Sequence, residues 1–260
     1  MNHEFWVKQG SEPLFPDMLW SRPENRAQAG KLLIVGGNVH GFTAPAAAYR
    51  AAEAAGIGTA RVILPQSLEK TVSKVFPEAS YAPSTSSGGF GQAALADIYD
   101  QAQWADGVLL AGDLGRNSET IVMVDTLLEK YEGTVVAVQD ASDIITADPI
   151  TALHRPHTTV ICSLQQLQRL GTSAHFPRAF TSDMGLVKLV ETLQEFTKRY
   201  TVNVVICHEG HCVVAANGRL STTKTDRLDT RPVQTAASAA TWLIQNPARP
   251  FEALTTSLTK

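Results

Sequence analysis

Several things are scarce in this sequence, and each scarcity argues against a class of function. In its 260 residues there is no unbroken run of about 18 apolar residues, the length a membrane-crossing helix needs. No membrane partner is therefore expected. Lysine and arginine number 22 against 25 aspartates and glutamates, a net charge of -3. Without a basic surplus to neutralise phosphates, nucleic acid is a poor candidate for the main partner. Three cysteines, an odd number in a long chain, suit a reducing cytoplasm better than a disulfide scaffold. The opening Met1-Asn-His-Glu-Phe-Trp6 lacks the basic flank and apolar core of a signal peptide, which again points to the cytoplasm. Repeats and dividing linkers are absent too, so one domain is expected.

What the chain does have is apolar content. At 44% hydrophobic and 18% charged it can bury a large core, and its length is ordinary for one doubly wound α/β unit. Residues 1–30, with Pro13, Pro16 and Pro23, read as an irregular arm packed on a body formed by residues 31–260. The body starts on Lys31–Arg50. There Leu32–Val35 is a short apolar run ending in Gly36-Gly37, as a strand covered on both faces would be. Thr43 is placed to cap a following helix, and Pro45 falls in its first turn. Strands are expected at Thr59–Leu64, Gly107–Ala111, Thr134–Val138, Thr158–Ile161, Val202–Ile206 and Val213–Ala216. The last two form an antiparallel hairpin. Helices are expected over Gln66–Val75, Gln92–Gln103, Asn117–Tyr131, Asp148–Leu153 and Gln165–Leu170, the last stopped by Gly171. Phe180–Tyr200 has the longest helical periodicity, and Val233–Ile244 closes the series. Tyr81–Gly91 reads as a loop.

Candidate chemistry gathers at predicted strand ends. Gly36-Gly37-Asn38-Val39-His40-Gly41-Phe42-Thr43 resembles a P-loop in spacing, but Phe42 stands where the phosphate-binding lysine is required. The dinucleotide fingerprint fails as well. Asn38, His40 and Thr43 nonetheless offer polar groups at a strand end, where such folds bind ligands. Asp113 and Asp140 each follow a predicted parallel strand and are suited to orienting a sugar hydroxyl, a water or a metal; the competing reading is that they cap turns. Cys207-His-Glu-Gly-His-Cys212 carries metal-ligating types, yet a four-residue hairpin turn would splay them. A tight turn with buried thiols is the better reading, and a reducing compartment disfavours a disulfide. No Ser–His–Asp set can be assembled.

Arg26 through Pro45 resembles the corresponding stretch of the ADP/ATP-dependent NAD(P)H-hydrate dehydratases, a branch of the ribokinase-like carbohydrate kinase superfamily. Arg26, Gly30, Gly36, Gly37, Ala44 and Pro45 match its pattern or replace it conservatively. Tyr49–Gly58 is similar to the family's helix and glycine exit. Gly112–Thr120 is similar to its Gly-Pro-Gly-Leu-Gly loop, and Val138–Ala141 to its Leu-Asp-Ala segment. The resemblance spans about residues 25–245. It implies a three-layer α/β/α fold with a mostly parallel sheet and an antiparallel hairpin near the C-terminus. It further implies a homo-oligomer, ATP or ADP with Mg, and NAD(P)H or its hydrate as ligand. Gly36, Gly37, Asn38, Thr43, Asp113 and Asp140 would face the substrate. Gly210, Gln234 and Thr235 would face the nucleotide.

The chain departs from that family at three chemical motifs. Ile161-Cys-Ser-Leu-Gln-Gln166 replaces Thr-Pro-His-x-Gly-Glu, and Glu209 replaces a lysine before Gly210. Arg231-Pro-Val-Gln234 replaces Gly-x-Gly-Asp, the motif that supplies the superfamily's base and an anion hole. Gln234 cannot accept a proton near neutral pH. Little chain follows Ile244, where the family continues with another helix pair. Three readings remain: a working dehydratase, a silent relative that keeps a nucleotide or dinucleotide pocket, or a small-molecule kinase with its base relocated to Asp226 or Asp229. The expectation is dehydratase descent with impaired or lost catalysis.

Overall fold

Successive residues of the first long strand serve different cores. Leu32 and Ile34 pack on one side of the sheet, Leu33 and Val35 on the other. In the computed structural model, which describes residues 4–225 and 227–259, that two-sided burial is repeated along a ten-stranded sheet. Its strands are β1 (Trp6–Gln9), β2 (Lys31–Gly36), β3 (Thr59–Pro65), β4 (Ala79–Ala82), β5 (Gly107–Gly112), β6 (Thr134–Ala137), β7 (Thr158–Cys162), β8 (Asn203–His208), β9 (His211–Ala216) and β10 (Arg219–Lys224). Their order is β1-β10-β9-β8-β7-β6-β5-β2-β3-β4. Among the described residues only β9 runs against the rest.

The helices are α1 (Pro16–Trp20), α2 (Thr43–Ala54), α3 (Glu69–Val72), α4 (Ala94–Trp104), α5 (Ser118–Lys130), α6 (Asp140–Ala147), α7 (Ile150–His154), α8 (Leu164–Ser173), α9 (Leu186–Arg199), α10 (Arg227–Thr230), α11 (Pro232–Gln245) and α12 (Pro250–Ser257). One core joins the sheet to α2, α11 and α12, the other to α4 through α9. The result is a three-layer α/β/α sandwich. No helix among the described residues is long and apolar enough to cross a membrane.

Several sequence expectations are corrected. The first thirty residues contribute β1, which pairs in parallel with β10, and Trp6 Nε1 donates to Thr222 Oγ1 at 3.1 Å. The predicted loop from Tyr81 overlaps β4, and Asp140–Ala147 is a helix. Gly171 does not stop α8 but lies inside it, and its lack of a side chain leaves room for Phe180, whose ring a Cβ would approach within 2.8 Å. The long periodic helix begins only at Leu186, while Phe180 and Met184 pack in the core from non-helical backbone. The predicted Gln66–Val75 helix is shorter, a 3-10 turn at Gln66–Leu68 followed by α3. The β8–β9 turn is two residues rather than four: Glu209 (φ 49°) and Gly210 (φ 70°) form it, and His208 pairs with His211.

Candidate functional site

The parallel strands β2, β5, β6, β7 and β8 all end on the same side of the molecule, and the loops that follow them gather there. The first of these is the glycine loop after β2. Gly36 lets β2 lie close to β5, since a Cβ would fall 2.5 Å from the Gly112 carbonyl oxygen. Gly37 (φ 91°) then turns the chain and donates its N–H to that same oxygen at 3.0 Å. The Asn38 side chain donates to the Asp113 carbonyl at 2.6 Å and accepts the His40 N–H at 2.8 Å. From the next loop, Gly88 accepts from the Val39 N–H at 2.9 Å and the Ser67 hydroxyl at 2.8 Å. Thr43 is the first helical residue of α2 rather than its cap. The cap comes from another loop, where Asp113 Oδ2 accepts the Ala44 N–H at 2.8 Å.

Asp113 therefore serves the neighbouring helix, not the turn that follows it. Asp140 is the less settled carboxylate. Its Oδ2 accepts the Gly115 N–H at 2.9 Å, while Oδ1 is buried with no hydrogen-bond partner. Burial pushes this carboxyl above its ordinary 3.8, the Gly115 N–H pulls it back, and the charge of Asp113 adds to the rise. The backbone is strained on both sides. Asp113 (φ 57°) and Gln139 (φ 58°, ψ -128°) occupy regions that non-glycine residues rarely visit, a cost of about 1–3 kcal/mol each.

A cavity of about 340 Å³ lies at the ends of β6, β7 and β8. Gln139, Ser163, Gln166, Cys207, Asp229 and Pro232 line it. Cys162 borders it too, but its thiol packs in the core on the other face of the sheet, where burial pushes it up to about 12. Ser163 and Gln166 make a reciprocal capping box on α8, and Gln166 Nε2 also donates to the Gln139 carbonyl at 2.9 Å and to Asp143 Oδ1 at 3.0 Å. The first of these bonds fastens the carbonyl of the strained Gln139. The Ser-x-x-Gln spacing is a sequence signal for this cap that the motif comparison passed over.

The predicted nucleotide residues are not gathered by this cavity. Gly210 sits exposed at the hairpin tip, and its neighbour Glu209 accepts the Leu186 N–H at 3.2 Å, capping α9. Gln234 and Thr235 line a separate groove of about 330 Å³ between α2, α11 and α12, together with Arg22 and Trp242. Asp229 does line the cavity; Asp226 lies outside the described residues. Among the described residues no group of three or more His, Cys, Asp or Glu could hold a metal ion.

No family profile and no curated protein matches this sequence. Solved structures do match. A ribokinase-like superfamily protein from Enterococcus faecalis superposes with a TM-score of 0.70 at 16% identity, over 99% of this chain and 86% of its own. The hypothetical protein SMU.573 from Streptococcus mutans gives 0.67 at 17% identity, over 93% and 86%. An ADP/ATP-dependent NAD(P)H-hydrate dehydratase from Bacillus subtilis, co-crystallised with ATP and Mg²⁺, gives 0.60 at 15% identity, over 95% and 86%. The chain has the ribokinase-like fold.

Proposed function

We propose that this protein is a divergent NAD(P)H-hydrate dehydratase relative that binds a nucleotide or dinucleotide at its strand ends, with turnover impaired or lost. The observation that carries this reading is the first turn of α11. The family resemblance assigns the catalytic base and anion hole to that turn, but here Pro232 has no N–H to give and Gln234 has no carboxylate. Gln234 also lines the outer groove, not the cavity. A Mg²⁺ ion needs carboxylates or phosphates, and Asp229 is the single carboxylate on the cavity wall among the described residues. Those residues do not fit a tightly held, metal-activated triphosphate.

The loops after β2 and β5 support binding. Gly36, Gly37 and Asn38 keep the close β2–β5 approach and the Asn38–Asp113 link, and the buried Asp140 Oδ1 is an acceptor still without a donor. A ligand hydroxyl would supply that donor once the loop opens around it. The ATP and Mg²⁺ of the B. subtilis neighbour are consistent with a nucleotide as ligand. Titration calorimetry with ATP, ADP, NADH and NADPH in turn should give at least one saturable isotherm. The absence of saturable heat with all four would overturn the binding reading.

One observation favours a second reading. Asp229 lines the cavity beside Pro232, where a relocated base for a small-molecule kinase would stand. ATP consumption dependent on an added hydroxylated metabolite, and lost in Asp229→Asn, would select this reading over the first.

A further inference from the structure

The two-residue turn Glu209-Gly210 has a chemical consequence at the hairpin's next position. The pair flanking such a turn, His208 and His211, is the hydrogen-bonded kind, which makes Cys207 and Cys212 a non-hydrogen-bonded pair. In such pairs the Cα atoms lie about 4.5 Å apart with the side chains on one face, inside the range a disulfide accepts. The two sulfur atoms are 3.4 Å apart, and both thiols lie near the Thr225 carbonyl oxygen, at 3.7 Å and 3.9 Å. They differ in access. Cys207 is half-buried and lines the strand-end cavity, while Cys212 is fully buried behind it. The third cysteine, Cys162, packs in the opposite core and so is turned away from the pair.

We propose that Cys207 and Cys212 are a redox-active dithiol, a modification site that takes small-molecule disulfides and closes to an intramolecular disulfide at the cavity wall. The Cys207 thiolate attacks one sulfur of the disulfide RSSR, forming a mixed disulfide and releasing RS⁻. The Cys212 thiolate then attacks the Cys207 sulfur and releases the second RS⁻. Each protein thiol gives up one proton; the two protein sulfurs are oxidised and the two RS groups leave reduced, as two RSH. Cys207 is the entry sulfur because it faces the cavity, and Cys212 resolves because it faces Cys207.

The reduced pair donates toward Thr225, and closure removes both S–H groups. Thr225 leads directly into the segment carrying α10 and Asp229, so the bond alters the fastening of that side of the cavity. The hydrogen bond from Thr225 N–H to the Gly210 carbonyl, at 3.2 Å, is untouched by the chemistry. Oxidation therefore loosens the segment without detaching it.

The test equilibrates the full-length protein in glutathione buffers from fully reduced to fully oxidised. Samples are acid-quenched, alkylated under denaturing conditions and mapped by mass spectrometry. The expected result is one species lacking two hydrogens, bonded between Cys207 and Cys212, with Cys162 alkylated at every ratio. Cys162→Ser should leave this transition unchanged. Cys212→Ser should stop at a glutathione adduct on Cys207, and Cys207→Ser should remain unoxidised. Wild-type protein that carries only a stable glutathione adduct, stays reduced in oxidised glutathione, or bonds through Cys162 would overturn the proposal. Hydrogen exchange across α10 should quicken on oxidation, and unchanged exchange there would overturn the link to the cavity.

Discussion

Asp140 sits in surroundings poorly suited to its charge. Because burial raises its pKa, it binds a proton more readily when folded than when unfolded. That preference stabilises the fold at acidic pH, and the contribution is lost as pH rises from 3.8 through the raised value. Asp140→Asn keeps an acceptor for the Gly115 N–H and removes the charge. Its Tm at neutral pH should rise on the order of 2 °C, and the gain should shrink to nothing near pH 4. Thermal melts across that window check it, and a variant less stable at neutral pH would contradict it. Gln139 makes a parallel case from the backbone. Gln139→Gly relieves the positive φ, and a gain of about 1 kcal/mol in urea denaturation is expected. Asp113 and Asp140 were visible in the sequence as carboxylates after strands. Which of them caps a helix and which is left with an unpartnered oxygen depends on loops 69 and 25 residues away in sequence, and no local pattern records that.

At the scale of elements, α2 starts without a cap of its own and borrows one from the β5 loop. Asp113→Ala should cost on the order of 2 kcal/mol, about half from the lost cap and half from placing alanine at positive φ. Asp113→Asn, which tolerates that φ and still accepts a hydrogen bond, should recover most of it. On the opposite edge of the sheet, buried Arg155 donates to the carbonyls of Leu128, Tyr131, Gly133 and Pro156 and to the Thr158 hydroxyl. Arg155→Met leaves those acceptors unpaired and should lower stability by about 3 kcal/mol in denaturant titration. The strongly apolar strands β2, β3, β5 and β6 were legible because a strand covered on both faces needs no partner to be recognised. β1 was not, since it pairs with β10 from the far end of the chain, Trp6 lying opposite Leu220. β10 could have been found: Asn217-Gly218 between two β-branched runs is a strong hairpin signal. Pro250, at the first turn of α12, was a similar unread start signal.

For the molecule as a whole, the layer order and the parallel sheet followed from alternating strand and helix patterns, and the solved structures bear the fold out. Function was less legible, because catalysis in this fold depends on a few groups at the strand ends while the fold depends on many. Here Gly36 and the apolar strands build the sheet, while α11 opens on Pro232, Val233 and Gln234. Gln234→Asp alone should leave turnover unchanged, since position 234 lines the outer groove rather than the cavity. The most direct measurement of the central claim supplies purified protein with NADH hydrate, Mg²⁺ and either ATP or ADP, and follows the absorbance of reduced nicotinamide. Recovery of NADH no faster than in a protein-free control is the predicted result. Recovery at a turnover of about 1 s⁻¹ or above, within the ordinary enzyme range, would contradict it.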